Sequence, residues 1–228
     1  MRDYKHIDRY LTELLQDTYP QPADPGHTAW AMQAVLSLCT AAKGIPTVLD
    51  VGCGQGFLAG AFEELGMKWT GVVIGQDYTV CKHLGLNVFN MDMSFLDFED
   101  ESFDLVFARH VLEHSPMPIL TLMEWRRVSR NYLCLVAPAP HYWGVRGKNH
   151  YSIVEKPKLK WWLERSGWEV LKEEDMSTRS YAFLKHNEVY QEALEKGHDK
   201  AQEVLDESYP EGPVEYRFLC QKGEMVRE

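Results

Sequence analysis

Residues Thr47-Val-Leu-Asp-Val-Gly-Cys-Gly-Gln-Gly56 decide how this chain is read. Val48, Leu49 and Val51 form a short apolar run of the kind that fills a buried parallel strand. Gly52, Gly54 and Gly56 follow at alternate positions, where they let the backbone turn sharply and approach a ligand with no Cβ in the way. Phe57 to Leu65 then reads as a helix. A strand, a glycine turn and a helix N-terminus together make a cradle for a nucleotide-like ligand. Asp50 narrows the choice. It puts a carboxylate beneath the loop, where it would repel a pyrophosphate and can orient loop amides or a cationic ligand.

Working outward, short apolar runs alternate with amphipathic segments, the pattern of a parallel sheet with helices on both faces. The spacing predicts strands at 47–51, 69–74, 87–90, 104–108, 132–137, 168–172 and 214–221. It predicts helices at 4–18, 28–43, 56–65, 77–84, 116–130, 157–165 and 182–207, the fifth opened by Ser115 as N-cap and Pro116 at N1. The expected fold class is α/β: a doubly wound, mainly parallel seven-stranded sheet with helices on both faces. Tyr19-Pro-Gln-Pro-Ala-Asp-Pro-Gly26 is too proline-rich for regular structure and separates a leading helix from the core.

The loop Asp50-Val-Gly-Cys-Gly-Gln-Gly56 resembles motif I of the class I S-adenosylmethionine-dependent methyltransferases. Phe89-Asn-Met-Asp-Met93 and Asp100-Glu-Ser-Phe-Asp-Leu-Val-Phe-Ala-Arg-His-Val-Leu-Glu-His114 are similar to the third and fourth strand region of the type 11 branch, whose members often read D-x-S-F-D-x-V and then H-x-L-E-H. Gly167-Trp168-Glu169-Val170, after the helix Leu159 to Ser166, resembles that branch's L-L-x-x-A-G-F-x-V segment. The resemblance implies a Rossmann-like methyltransferase fold, S-adenosyl-L-methionine as cofactor and S-adenosyl-L-homocysteine as product. One methyltransferase domain over 1–228 is expected: an N-terminal helical cap (1–43), a cofactor-binding core (44–175), a helical insertion (176–212), and a last strand and tail (213–228).

By the same resemblance, Asp50, Gly52, Cys53, Gly54 and Gly56 lie against the amino-acid part of the cofactor, and Asp92 and Met93 take the adenine. The chain departs from the family at the end of the second strand. Val73 stands where an acid usually binds the ribose, and Gln76 and Asp77 follow within reach of it. Asp77 fits equally well as the N-cap of the next helix. A second departure replaces the family's Lys-Pro-Gly-Gly turn with Val128-Ser-Arg-Asn131, where Asn131 can take the left-handed conformation.

Methyl transfer asks mainly for alignment, exclusion of water and sometimes removal of a proton. His110, at the end of the fourth strand, and His150, in the loop after the fifth, are the candidate general bases. Arg109, His141, Tyr142, Trp143, Asn149 and Tyr151 converge on strand-end loops and are the candidate substrate contacts. Glu113 and His114 read as a brace for the connection. No metal is expected, because no carboxylates cluster at the strand ends.

A net charge of −10 argues against binding nucleic acid through bulk electrostatics, so the expected partner is a small-molecule methyl acceptor, with oxygen or nitrogen the methylated atom. An RNA base methyltransferase and a catalytically silent cofactor-binding subunit are the rival readings. The five cysteines are scattered without zinc spacing, which suits a reducing cytoplasm. Met-Arg-Asp-Tyr-Lys-His lacks an apolar signal region, and no apolar run reaches the ~18 residues that cross a bilayer, so neither export nor a membrane partner is expected.

Overall fold

The computed structural model describes residues 24–42, 44–143, 149–180, 184, 185, 187–208 and 211–224, together with Arg9, Glu13 and Pro20. In chain order the elements are α1 (Pro25–Cys39), β1 (Thr47–Val51), α2 (Ala59–Glu64), β2 (Lys68–Val72), α3 (Gln76–His83), β3 (Val88–Phe89) and β4 (Phe103–Arg109). A 3₁₀ turn (Leu112–His114) leads to α4 (Pro118–Val128), β5 (Ser129–Pro138), α5 (Pro140–Trp143), α6 (Lys156–Arg165), β6 (Trp168–Ser177), α7 (Glu188–Glu195), α8 (His198–Ser208) and β7 (Pro213–Lys222).

The seven strands form one sheet in the order β3-β2-β1-β4-β5-β7-β6. The first five run parallel, and β7 pairs antiparallel with both β5 and β6. The strand order reverses between β1 and β4, and ligands of open α/β sheets bind in the crevice beyond the strand ends at such a point. The antiparallel run of β7 brings its first residues to that same edge, because Glu215 is paired with Pro138 at the end of β5.

Alternation along the strands splits the core into two clusters. Leu49, Val51, Val106, Ala108, Leu133 and Leu135 face α4 and α6, where they meet Trp125, Leu122, Trp162 and Leu163. On the other face Val48, Leu105, Phe107, Cys134 and Val136 meet Ala34, Val35 and Leu38 of α1 and Phe62 of α2. Helix α1 thus belongs to the packed core. Trp125 is fully buried, and its indole N–H donates to the Met93 carbonyl at 2.9 Å.

Several expected boundaries move for local reasons. Helix α2 starts three residues late, since Gly56 has φ 78° and cannot begin a right-handed helix. The N1 proline of α4 is Pro118, not Pro116, because the 3₁₀ turn extends to His114 and Ser115 follows it as a cap whose hydroxyl accepts from Met117 N–H. Asn131 is an extended residue inside β5; α4 passes into β5 through Ser129 at φ −80° and ψ 137°, so no left-handed residue is needed. The helix expected over 182–207 is two: Asn187 caps α7 by accepting from Tyr190 N–H, and Gly197 at φ 126° breaks the chain before α8. The expected helix over 4–18 lies almost wholly outside the described residues. Among those described, no helix is long and apolar enough to cross a membrane.

Trp125→Ala is expected to cost about 3–5 kcal/mol of unfolding free energy, the range for emptying a buried tryptophan site. Urea denaturation measures it; a loss below about 1 kcal/mol would show that the α4 face does not carry the core.

Candidate active site

The glycine loop leaves β1 with Gly52, Gly54 and Gly56 all left-handed, at φ 69°, 53° and 78°. A Cβ on Gly52 would overlap the Val111 side chain, and one on Gly56 would overlap Leu86. The loop is tied to β2 by Gly52 N–H and Cys53 N–H, which donate to one carbonyl, that of Val72, at 2.8 and 3.1 Å. Asp50 lies buried beneath it and accepts from the Trp69 indole N–H at 3.1 Å, so its carboxylate is turned to β2. Burial pushes its pKa up to about 7, against the opposing effect of that hydrogen bond. The Cys81 thiol, from α3, donates to the Gly54 carbonyl at 3.3 Å and braces the loop from below.

Beyond β2, Val73 is buried, as an apolar side chain in that place should be. Asp77 is buried too, but it is not an N-cap: Gly75 occupies that position, with no side-chain cap. The Asp77 carboxylate instead accepts from Gln55 Nε2 at 3.1 Å and ties α3 to the loop, while Gln76 is exposed at the helix start. Asp92 is half-buried, and one of its oxygens accepts from Ser94 N–H at 2.7 Å. Met93 packs beside it against the core.

A buried charged group occupies the α1 side of the same sheet edge. Arg109 ends β4, and Glu215 and Arg217 come from β7 with side chains on one face, as their spacing of two dictates. Glu215 is fully buried and lies 3.5 Å from Arg109 Nη2, 3.0 Å from His110 Nε2 and 2.5 Å from Arg217 Nη2. Burial alone would raise its pKa, but Arg109, then His110 and Arg217, outweigh that and hold it at about 2. His110 has φ 52°, an unfavourable conformation for a residue with a Cβ, and its N–H is held by the Val136 carbonyl at 2.9 Å. Arg109 lies 5.7 Å from the Trp30 ring centroid, and burial lowers its pKa while Glu215 opposes the shift.

The other strand-end residues form a second group. His114 Nδ1 is 3.0 Å from the Asn149 carbonyl, and the His114 and His150 rings meet edge to face with centroids 4.9 Å apart. Burial, then His150, lowers the His114 pKa. Glu113 is buried beside them, and burial pushes its pKa up to about 8. Tyr151 is exposed, and His141 packs its ring over Gly212 at the entry to β7. The side chains of Tyr142 and Trp143 lie outside the described residues. The structure therefore separates the two candidate bases: His110 joins Glu215, and His150 joins His114 and Glu113.

Glu215, Arg217 and Glu113 are absent from the sequence-based site. A signal exists for the first two, since an acid and a base two apart in an apolar strand must face the same side. Nothing local marks Glu113 as a site residue; with His114 it reads as a brace for the connection.

Residues 49–132 match a family model described as a methyltransferase domain, the type 11 family. That span holds the loop, the β1–β4 switch point and the His110 turn. These residues carry a methyltransferase domain of the type 11 family. The domain's fold recurs in a SAM-dependent methyltransferase from Archaeoglobus fulgidus, at TM-score 0.63 and 21% identity over 86% of this chain and 94% of that one. It recurs also in a complex of the Haloferax volcanii Trm112 methyltransferase activator with a methyltransferase, at TM-score 0.69 and 16% identity over 89% and 92%. A curated relative, the ubiquinone biosynthesis O-methyltransferase of Coxiella burnetii, is 30% identical over 116 residues, 48% of this chain and 44% of the relative. The match thus spans less than half the length of that relative.

Two expectations test the methyltransferase domain's edge. Because the folded-state pKa of Glu215 is depressed from 4.5 to about 2, its stabilisation is complete above pH 4.5 and is lost as pH falls toward 2. Glu215→Gln leaves Arg109 and Arg217 buried without a counter-charge and should cost about 3–5 kcal/mol at pH 7. Denaturation at pH 7, 4 and 3 should show wild type and variant converging as the medium acidifies; a constant gap would exclude an ionised Glu215. Asp92→Ala should weaken S-adenosylhomocysteine binding by about 1.5–3 kcal/mol if the carboxylate accepts from the adenine amine. Calorimetry reads this directly, and an unchanged Kd would move the adenine elsewhere.

Proposed function

We propose that this chain transfers a methyl group from S-adenosylmethionine to an oxygen or nitrogen atom of a small molecule, with His110 as the general base. The observation that carries this reading is the 3.0 Å contact of His110 with the buried Glu215, at the end of the strand that adjoins the glycine loop. A carboxylate behind an imidazole fixes its orientation and stabilises the cation formed when it takes a proton. His110 then receives the acceptor's proton, and Glu215 is the positioning residue. When bound, S-adenosylmethionine supplies a methyl group made electrophilic by its sulfonium. The left-handed glycines accommodate its amino-acid end, with Asp50 and Cys53 beneath. Asp92 and Met93 receive the adenine. Val73 offers the ribose no hydrogen bond, so the exposed Gln76 reaches it while Asp77 holds the loop.

On the acceptor side, Arg109 and the loops carrying His141, Tyr142, Trp143, Asn149 and Tyr151 line the approach. The insertion between β6 and β7, with α7 and α8, leaves and re-enters the sheet at this edge, since Ser177 is paired with Pro213 there, and it covers the acceptor. The excess of acid favours a small acceptor over RNA. The name of the Coxiella relative favours oxygen. The scatter of the five cysteines along the sequence, without zinc spacing, favours a reducing cytoplasm.

A second reading, a silent cofactor-binding subunit, draws on the buried Val73 in the ribose position. Calorimetry separates the two: no binding of S-adenosylhomocysteine at high concentration would favour the subunit. With an acceptor identified by an untargeted methylation screen, His110→Ala should lower turnover by roughly 10² to 10⁴ while cofactor affinity stays nearly constant. Wild-type turnover should rise with pH through an imidazole ionisation that vanishes in the variant. Full turnover in His110→Ala would leave alignment alone as the catalytic device.

A further inference from the structure

We infer that Glu113, His114 and His150 form a binding site for a first-row divalent cation of the zinc type. The inference does not depend on the methyl-transfer reading. Glu113 is 2% exposed, and neither of its carboxylate oxygens has a hydrogen-bond partner among the described residues. Buried carboxylates are satisfied in folded proteins, and an orphan calls for a missing water or ion. Arg109 attracts Glu113 electrostatically, but its guanidinium is paired with Glu215 at 3.5 Å. One ligand atom each from Glu113, His114 and His150 can be chosen so that all three lie within 4.8 Å of one another.

The surroundings of the three residues match a metal centre in a second respect. His114 Nδ1 lies 3.0 Å from the Asn149 carbonyl, which sets the tautomer that carries its lone pair on Nε2. A ring N–H donated to a carbonyl is how proteins orient metal-binding histidines. The two segments that supply the ligands are tied together. Ser152 N–H donates to the Glu113 carbonyl at 2.9 Å, and the Ser152 hydroxyl donates to the Ser115 carbonyl. Asn149, at φ 60°, takes the left-handed turn that aims its carbonyl at His114. These ties hold both segments before any ion arrives.

The donor set selects the ion. Two imidazoles and one carboxylate suit borderline cations such as Zn(II), Co(II) or Fe(II), whereas Mg(II) and Ca(II) prefer all-oxygen sets. Three protein ligands leave a position open for water or another oxygen, the arrangement of a reactive site and not of a closed structural one. The sequence alone expects no metal, because no carboxylates cluster at the strand ends. The site is assembled from one carboxylate and two histidines that lie on either side of α4.

The test uses the whole chain, stripped with a chelator and dialysed, and titrated with Co(II) and then Zn(II). One equivalent of Co(II) should give visible d–d absorption without the near-ultraviolet thiolate bands that binding at Cys53 and Cys81 would produce. Zn(II) should displace it and raise the melting temperature. Glu113→Gln and His150→Ala should each weaken Zn(II) binding by more than about tenfold. Unchanged S-adenosylhomocysteine affinity in both variants serves as the check on folding. The absence of saturable binding to the wild type would overturn the inference and make Glu113 a neutral buried acid. Zn(II) binding that survives both substitutions would overturn it equally, placing the ion at other side chains.

Discussion

The double hydrogen bond from Gly52 and Cys53 to the Val72 carbonyl is the constraint on which the rest of this molecule rests. It continues the β1–β2 pairing past the last regular strand residue and so delivers the glycine loop to one fixed place at the sheet edge. Two successive N–H groups can point at one acceptor only if the backbone turns sharply, which the left-handed Gly52 allows. With the loop fixed, Val111 must pack against Gly52, and the turn that carries His110, Glu113 and His114 follows from that contact. Cofactor loop and candidate catalytic turn are therefore positioned by the same few backbone bonds.

The buried charges form the other half of the design. A carboxylate with no accessible surface is costly unless charge and hydrogen bonds surround it, and Glu215 is surrounded by two guanidiniums and an imidazole. Such groups stabilise little in net terms, because desolvation consumes most of the attraction. What they provide is a fixed geometry. Strand β7, inserted antiparallel between β5 and β6, is what brings its acid to the end of β4, so the topology at the far side of the sheet is chemically necessary at the centre.

Much of this was legible in the sequence. The short apolar run before the glycines, the alternation of strands and helices, and the Phe103-Asp-Leu-Val segment each act over a few residues, and periodicity reports them faithfully. The cofactor loop was legible for the same reason, since only glycine tolerates its conformations. What stayed hidden depends on contacts between distant segments. Asp77 reads as a cap but serves as a partner of Gln55, because Gly75 already ends the turn. Glu215 reads as a strand acid until β7 is placed one strand away from β4, across β5, and Glu113 reads as a brace until the loop at 149–152 closes over the 3₁₀ turn.

The late position of Glu215 in the chain has a consequence for biosynthesis. A nascent chain that has emerged only as far as α6 has β1 to β5 available and can pack both core faces, but Arg109 and His110 still lack Glu215. The gap between β5 and β6 is filled by β7, which follows both in the chain. The sheet then closes as β7 pairs with β5 and β6 together, a step dominated on the β5 side by contacts far apart in sequence and therefore slow. During that interval the exposed edges are open to pairing with other chains, so this chain's demand for chaperones should be concentrated in the moments before β7 docks.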